Sequence, residues 1–104
     1  MPELLTWGGR SRFSYTGSVC DGTNITYGSG FTIFISADHY QRLLSHFKGR
    51  RVPCGTSRTN PPRGSLGEWL MTNITRTAIA SYVGAILVHE GYATKMGSDI
   101  EFKE

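Results

Sequence analysis

Acidic side chains are nearly missing from the middle of this 104-residue chain, cysteine is scarce, and no apolar run is long. The longest nearly apolar stretch, Ala78 to Val88, is broken by Ser81. It falls short of the roughly 20 apolar residues a helix needs to cross a bilayer, so no membrane partner is expected. Met1-Pro2-Glu3-Leu4-Leu5 has neither a basic n-region nor an apolar core, so it does not read as a signal peptide. The two cysteines, Cys20 and Cys54, permit one disulfide. Without a secretion signal the expectation is a reducing, cytoplasmic setting with both thiols free.

Motifs for chemistry are also missing. There is no Cys-x-x-Cys pair. Gly28-Ser29-Gly30 is not followed by Gly-Lys-Ser/Thr and reads as a turn rather than a phosphate loop. Glu3, Asp21, Asp38, Glu68, Glu90, Asp99 and Glu101 are scattered, with no carboxylate pair at a spacing suited to acid–base work. His39 and His46 share a side of one predicted helix with Arg42 between them, which disfavours a metal ion. His89 lies near a helix end, where imidazolium suits the dipole. Cys54 sits among basic residues that would lower a thiol's pKa, but no His or carboxylate pairs with it by sequence. No catalytic residue, metal site or cofactor is therefore assigned, and a non-enzymatic role is expected.

What is present is positive charge, unevenly spread. Between Arg42 and Arg76 stand seven basic residues (Arg42, Lys48, Arg50, Arg51, Arg58, Arg63 and Arg76) against one carboxylate, Glu68. The remainder of the chain has four basic and seven acidic residues. Such asymmetry points to an acidic partner.

The chain is long enough for one domain with a real core and too short for two, so residues 1–104 are expected to form a single α+β domain. Thirteen glycines suggest many turns, and turns suggest strands. Phe13 to Cys20 is predicted as a strand, Asp21-Gly22 as a two-residue hairpin turn, and Thr23 to Tyr27 as the returning strand. Phe31-Thr32-Ile33-Phe34-Ile35 is apolar on both faces, the pattern of a central, most buried strand. Ser36 to Gly49 is predicted as a helix. Ser36 is its cap, and Tyr40, Leu43, Leu44 and Phe47 are its stripe. Arg50-Arg51-Val52 reads as a short edge strand, and Pro53 to Gly64 as a long loop of the kind that often carries function. The antiparallel meander is thus expected to pack on an amphipathic helix, followed by a helix pair and a β-hairpin. The expected core is Phe13, Tyr15, Ile33, Ile35, Leu43, Leu44, Phe47, Trp69, Leu70, Ile79, Val83, Ile86, Leu87 and Phe102. Residues 1–12 receive no assignment.

From Ser65 the order is a capping-box helix (Ser65, Glu68) to about Asn73, a tight turn, a second helix capped by Thr75 or Thr77 and running to Glu90, a Gly91 stop, and a hairpin around residues 96–99. On that order and on Leu87…Gly91-Tyr92-Ala93, the segment resembles the second and third helices plus wing of a winged helix-turn-helix domain. The resemblance covers 38 residues. It implies duplex DNA binding, with Thr75 to Ser81 in the major groove and Lys95 on the wing near phosphate. The residues themselves add a qualification. The face away from the apolar stripe holds Thr77, Ser81, Gly84 and Val88, with Arg76 the one strong donor nearby. Ala80, Ser81 and Gly84 would instead let a neighbour pack closely.

The expected nucleic-acid contacts are Lys48, Arg50, Arg51, Arg58, Asn60 and Arg63 on the backbone, Thr75, Arg76 and Thr77 near the groove, and Lys95 on the wing. Tyr15, Tyr27, Trp7 and Phe34 are further candidates for stacking on unpaired bases. The alternative partner is an acidic protein surface met by the same basic loop, as an inhibitor or adaptor from a phage or mobile element would meet it. Oligomeric state is left open.

Overall fold

The structure, a computed structural model, describes residues 3–57 and 59–104. Two antiparallel sheets and three helices make up an α+β fold. Strands β1 (Glu3–Leu5), β2 (Arg12–Ser18), β3 (Gly22–Tyr27) and β4 (Phe31–Ser36) form a meander in the order β1-β2-β3-β4. Helix α1 (Ala37–Phe47) follows, then β5 (Arg51–Pro53), α2 (Leu66–Asn73), α3 (Ala80–His89), β6 (Ala93–Met96) and β7 (Asp99–Phe102). The last three strands form a second sheet in the order β5-β7-β6. Among the described residues no helix is long and apolar enough to cross a membrane.

Local chemistry accounts for most boundaries. Ser36 Oγ accepts from the His39 N–H at 3.1 Å, and Ser65 Oγ accepts from the Glu68 N–H at 3.1 Å, so both expected caps form. The Glu68 carboxylate turns back to accept from the Gly64 N–H at 2.9 Å. α3 starts later than Thr75 or Thr77 would set it. Its N-cap is Ile79, with no side-chain cap. The β2–β3 turn also differs from the expected Asp21-Gly22 dipeptide. Ser18 pairs with Gly22, and the turn is Val19–Cys20–Asp21, closed by the Asp21 N–H on Ser18 O at 3.2 Å. An Asx–Ser contact between Ser18 Oγ and Asp21 supplies the closure that positive φ at Asp21 would have supplied.

Two sequence expectations are corrected by the packing. β4 is an edge strand, not the central one, and Phe31 and Phe34 are each 62% exposed. The unassigned N-terminal segment supplies β1 and the buried Trp7, whose N–H donates to Ser81 O at 2.9 Å. The expected core is otherwise found, with Ile33, Leu44 and Trp69 half-buried at its margin.

α3 lies between two layers. Val83, Ile86 and Leu87 are fully buried, and Gly84 is where the layers come closest. A Cβ on Gly84 would sit 2.9 Å from Trp7 Cε3 and 3.0 Å from Cys54 Sγ. On the meander side, Phe13 packs edge-on to Tyr82 with ring centroids 5.2 Å apart. The C-terminal end of α3 is tied to the same layer through Glu90. Its carboxylate accepts from Tyr15 Oη at 2.7 Å and from the Val19 N–H at 3.0 Å. Gly84→Ala should gain up to about 1 kcal/mol in helix propensity. Overpacking against Trp7 and Cys54 should cost ~1–3 kcal/mol and outweigh it. Urea unfolding should therefore show a less stable variant, and a more stable one would mean that Trp7 does not pack on α3.

Candidate nucleic-acid interface

The nominated cations do not all remain available. Arg51 lies on β5 opposite Glu101, and its Nε pairs with Asp99 Oδ2 at 3.1 Å. The Lys95 ammonium donates to Trp7 O at 2.5 Å and lies 5.0 Å from the centroid of the Trp7 ring. It fastens the N-terminal segment to β6. Arg42 pairs with Asp38 at 3.0 Å along α1. By contrast Lys48, Arg50, Arg63 and Arg76 are exposed, and no carboxylate among the described residues lies within 4.0 Å of them.

Those four occupy separate places. Lys48 caps α1 and borders a shallow depression with Leu44, Tyr92, Lys103 and Glu104. Arg50 stands 5.7 Å over the Phe47 ring and donates to His46 O at 3.4 Å. Beneath it Phe47 stacks on Phe102 at 4.9 Å and meets Trp69 edge-on at 6.3 Å. Arg63 lies in the turn that precedes α2. In the loop, Asn60 is exposed and its N–H donates to Ser57 Oγ at 3.0 Å. Arg58 lies outside the described residues. The two ends of the loop are fixed. Cys54 N–H donates to Ser98 O at 3.0 Å, and Cys54 O accepts from the Gly67 N–H at 2.9 Å. Gly67 is needed there, because a Cβ would sit 1.9 Å from Gly55 O.

Arg76 has the most developed surroundings. The α2–α3 turn is held by the Thr75 N–H on Leu70 O at 3.1 Å and the Thr77 N–H on Thr75 Oγ1 at 3.3 Å. Arg76 and Thr77 are exposed and Thr75 is half-buried. Across from them is the tip of the β3–β4 hairpin, where Gly28-Ser29-Gly30 sets Tyr27 directly opposite Phe31. The two rings stack at 5.8 Å with 30° between planes, and Tyr27 stacks in turn on Tyr82 at 4.9 Å and 27°. Between hairpin and turn runs a cleft of about 440 Å³, bordered by Phe31, Tyr27, Arg76, Thr77 and Ala78. Its aromatic wall begins at an exposed ring and continues into the core. A guanidinium and a hydroxyl face it.

Sequence reasoning named Arg76, Thr77 and Tyr27 but missed Phe31, because an apolar strand suggests burial. The Gly-Ser-Gly turn was the available signal, since a three-residue hairpin loop must bring its flanking residues face to face. Of the other stacking candidates, Trp7 and Tyr15 are buried, and Phe34 lies over Gly22, where a Cβ would meet its Cζ at 3.2 Å. α3 offers a groove little side-chain surface. His89 is its one exposed residue, and the Trp7, Phe13 and Tyr27 rings pack along its outward side.

The expected activation of Cys54 is reversed. Cys54 is 1% exposed, and burial pushes its thiol up to about 12, a rise that the nearby Lys95 charge only partly offsets. Its Sγ donates to Ala80 O at 3.7 Å. Cys20 is exposed, and its sulfur is 3.1 Å from Tyr92 Oη. Among the described residues no group of three or more His, Cys, Asp and Glu side chains could hold a metal ion. No protein-family model, no curated protein and no solved structure matches the chain. Titration with a disulfide reagent at pH 8 should modify one thiol per native chain, Cys20, and two after denaturation. Rapid modification of both in the native state would show that Cys54 is not sealed.

Proposed function

We propose that the chain is a nucleic-acid-binding module, with Arg76 on phosphate and an unpaired base stacked on Phe31. The observation that carries this reading is the cleft between the β3–β4 hairpin and the α2–α3 turn. There an exposed aromatic face and an unpaired guanidinium border the same space. Stacking on an aromatic face tolerates any base, and a neighbouring cation supplies the phosphate contact. The exposed Phe31 ring at the mouth of the cleft is the surface on which one unpaired base would stack.

Two further features support the reading. The net charge of +3 and the exposed guanidinium of Arg76 at the cleft favour a polyanionic partner. In addition, the run α2-α3-β6-β7 has the order that suggested a likeness to the second and third helices plus wing of a winged helix-turn-helix domain, and that likeness supports the reading. In helix-turn-helix proteins the start of the second helix of the motif meets nucleic acid. Here the meander covers the outward side of α3, so the contact falls to the turn, Thr75-Arg76-Thr77, instead of the helix. Lys48, Arg50, Asn60 and Arg63 are exposed elsewhere on the surface and would serve as separate backbone contacts to a longer strand. Arg51 and Lys95 are assigned to holding the fold.

Fluorescence anisotropy with single-stranded and duplex oligonucleotides across a salt series tests this. Phe31→Ala should weaken single-strand binding by about 5- to 150-fold, the equivalent of ~1–3 kcal/mol for one stacked base. Arg76→Ala should weaken it and reduce the magnitude of the salt slope by about 1. No retention of either nucleic acid at low salt, together with stoichiometric capture of an acidic protein, would replace this reading with the protein-partner one.

A further inference from the structure

A second groove lies where the N-terminal segment meets α3 and β6. It shares no residue with the cleft at Phe31 and Arg76. Its volume is about 290 Å³, close to the roughly 300 Å³ at which small-molecule sites begin. Leu4 and Leu5 of β1 form one wall. Ala85 and Val88 form another; they are three positions apart on α3 and so lie on one face of the helix. Leu5 is 52% exposed, so apolar surface stays in contact with water at the rim.

The groove has a polar end, which is Lys95 of β6. The Lys95 ammonium is held in place by the Trp7 carbonyl at 2.5 Å and by the Trp7 ring, 5.0 Å away at its centroid. An ammonium has three N–H donors, and that carbonyl takes one. Among the described residues no carboxylate lies within 4.0 Å of Lys95, and no acidic side chain borders the groove. The acidic residues nearest to the walls in sequence are engaged elsewhere. Glu3 pairs with Arg12 at 3.1 Å, and Glu90 accepts from Tyr15 Oη and the Val19 N–H. His89, the other titratable group on the rim, is neutral or cationic and never an anion. The groove is an apolar trough with a fixed positive charge that nothing within it balances.

We propose that this groove binds a monocarboxylic acid with an apolar body. The body lies against Leu4, Leu5, Ala85 and Val88, and the carboxylate accepts from the free N–H groups of Lys95. Burial of the apolar body supplies affinity. The charge-assisted hydrogen bond to an ammonium that is already held supplies the choice of an acid over a neutral molecule. One fixed ammonium balances one negative charge, which fits a carboxylate better than a phosphate monoester carrying nearly two. The inference does not depend on nucleic-acid binding, and neither Phe31→Ala nor Arg76→Ala should alter it.

Titration of the full chain with sodium octanoate, followed by amide and methyl NMR shifts, should give saturable changes at Leu4, Leu5, Ala85 and Val88. Octan-1-ol has the same apolar length and no charge, and it should bind at least ~10-fold more weakly. Lys95→Met should remove that difference, so that acid and alcohol bind alike. Because Lys95 also fastens Trp7, a second variant leaves the anchor intact. Leu5→Asp places a carboxylate at the exposed rim and should weaken octanoate binding by at least ~10-fold, with the far-UV circular dichroism of the fold retained. Octan-1-ol binding the unaltered protein as tightly as octanoate would overturn the proposal. So would an octanoate affinity that Leu5→Asp leaves unchanged in a folded chain, no saturable shift at the groove, or shifts that centre on Phe31 instead.

Discussion

The architecture turns on how closely two layers approach α3. Gly84 has no side chain, and the space a methyl group would fill is shared by the Trp7 ring and the Cys54 sulfur. That contact fixes the distance between the meander and the helical half. It also determines what the surface can offer. Because Trp7, Phe13 and Tyr27 lie along α3, the helix is spent on packing, and its preceding turn is what reaches solvent. The same approach buries Cys54 and removes it from thiol chemistry. A buried thiolate would have to lose its hydration, so the neutral thiol persists far above the usual range.

Much of this was legible in the residues. The stripe Tyr40, Leu43, Leu44 and Phe47 and the serines at positions 36 and 65 fix two helices through local physics: apolar periodicity and capping hydrogen bonds. The packing of α3 on both sides was foreshadowed by Ala80 and Gly84. What could not be read was long-range pairing. Nothing local to Phe31–Ile35 says whether a strand apolar on both faces has one neighbour or two, and the edge position came as a reversal. Nor could a run of glycine, arginine and serine reveal that Trp7 would be anchored by Ser81 and Lys95, residues more than seventy positions away.

Charge counted along the chain overstated charge available on the surface. Arg51 met carboxylates only because β5 pairs with β7, and Lys95 found the Trp7 carbonyl only because β1 lies against α3. Both encounters are made by topology, and neither partner is near in sequence. Of the described cations expected to meet nucleic acid, those without an ion pair, Lys48, Arg50, Arg63 and Arg76, lie outside the strands, at or near helix ends and turns, where no cross-strand neighbour neutralises them. Electrostatic reach therefore comes from the punctuation of the fold more than from its regular elements.

The Glu90 carboxylate has a consequence for the order in which the molecule can be made. It receives Tyr15 and Val19, which precede it by 75 and 71 positions, and Lys95 closes on Trp7 across 88. During synthesis the first strands leave the ribosome long before their anchors exist. Contacts of such wide separation slow folding, since a large loop must close before any contact rewards it. Helix α1, which follows β4 directly, can cover part of the meander early through Tyr40 and Thr23, but the side that meets α3 must wait for Glu90 and Lys95 to be translated.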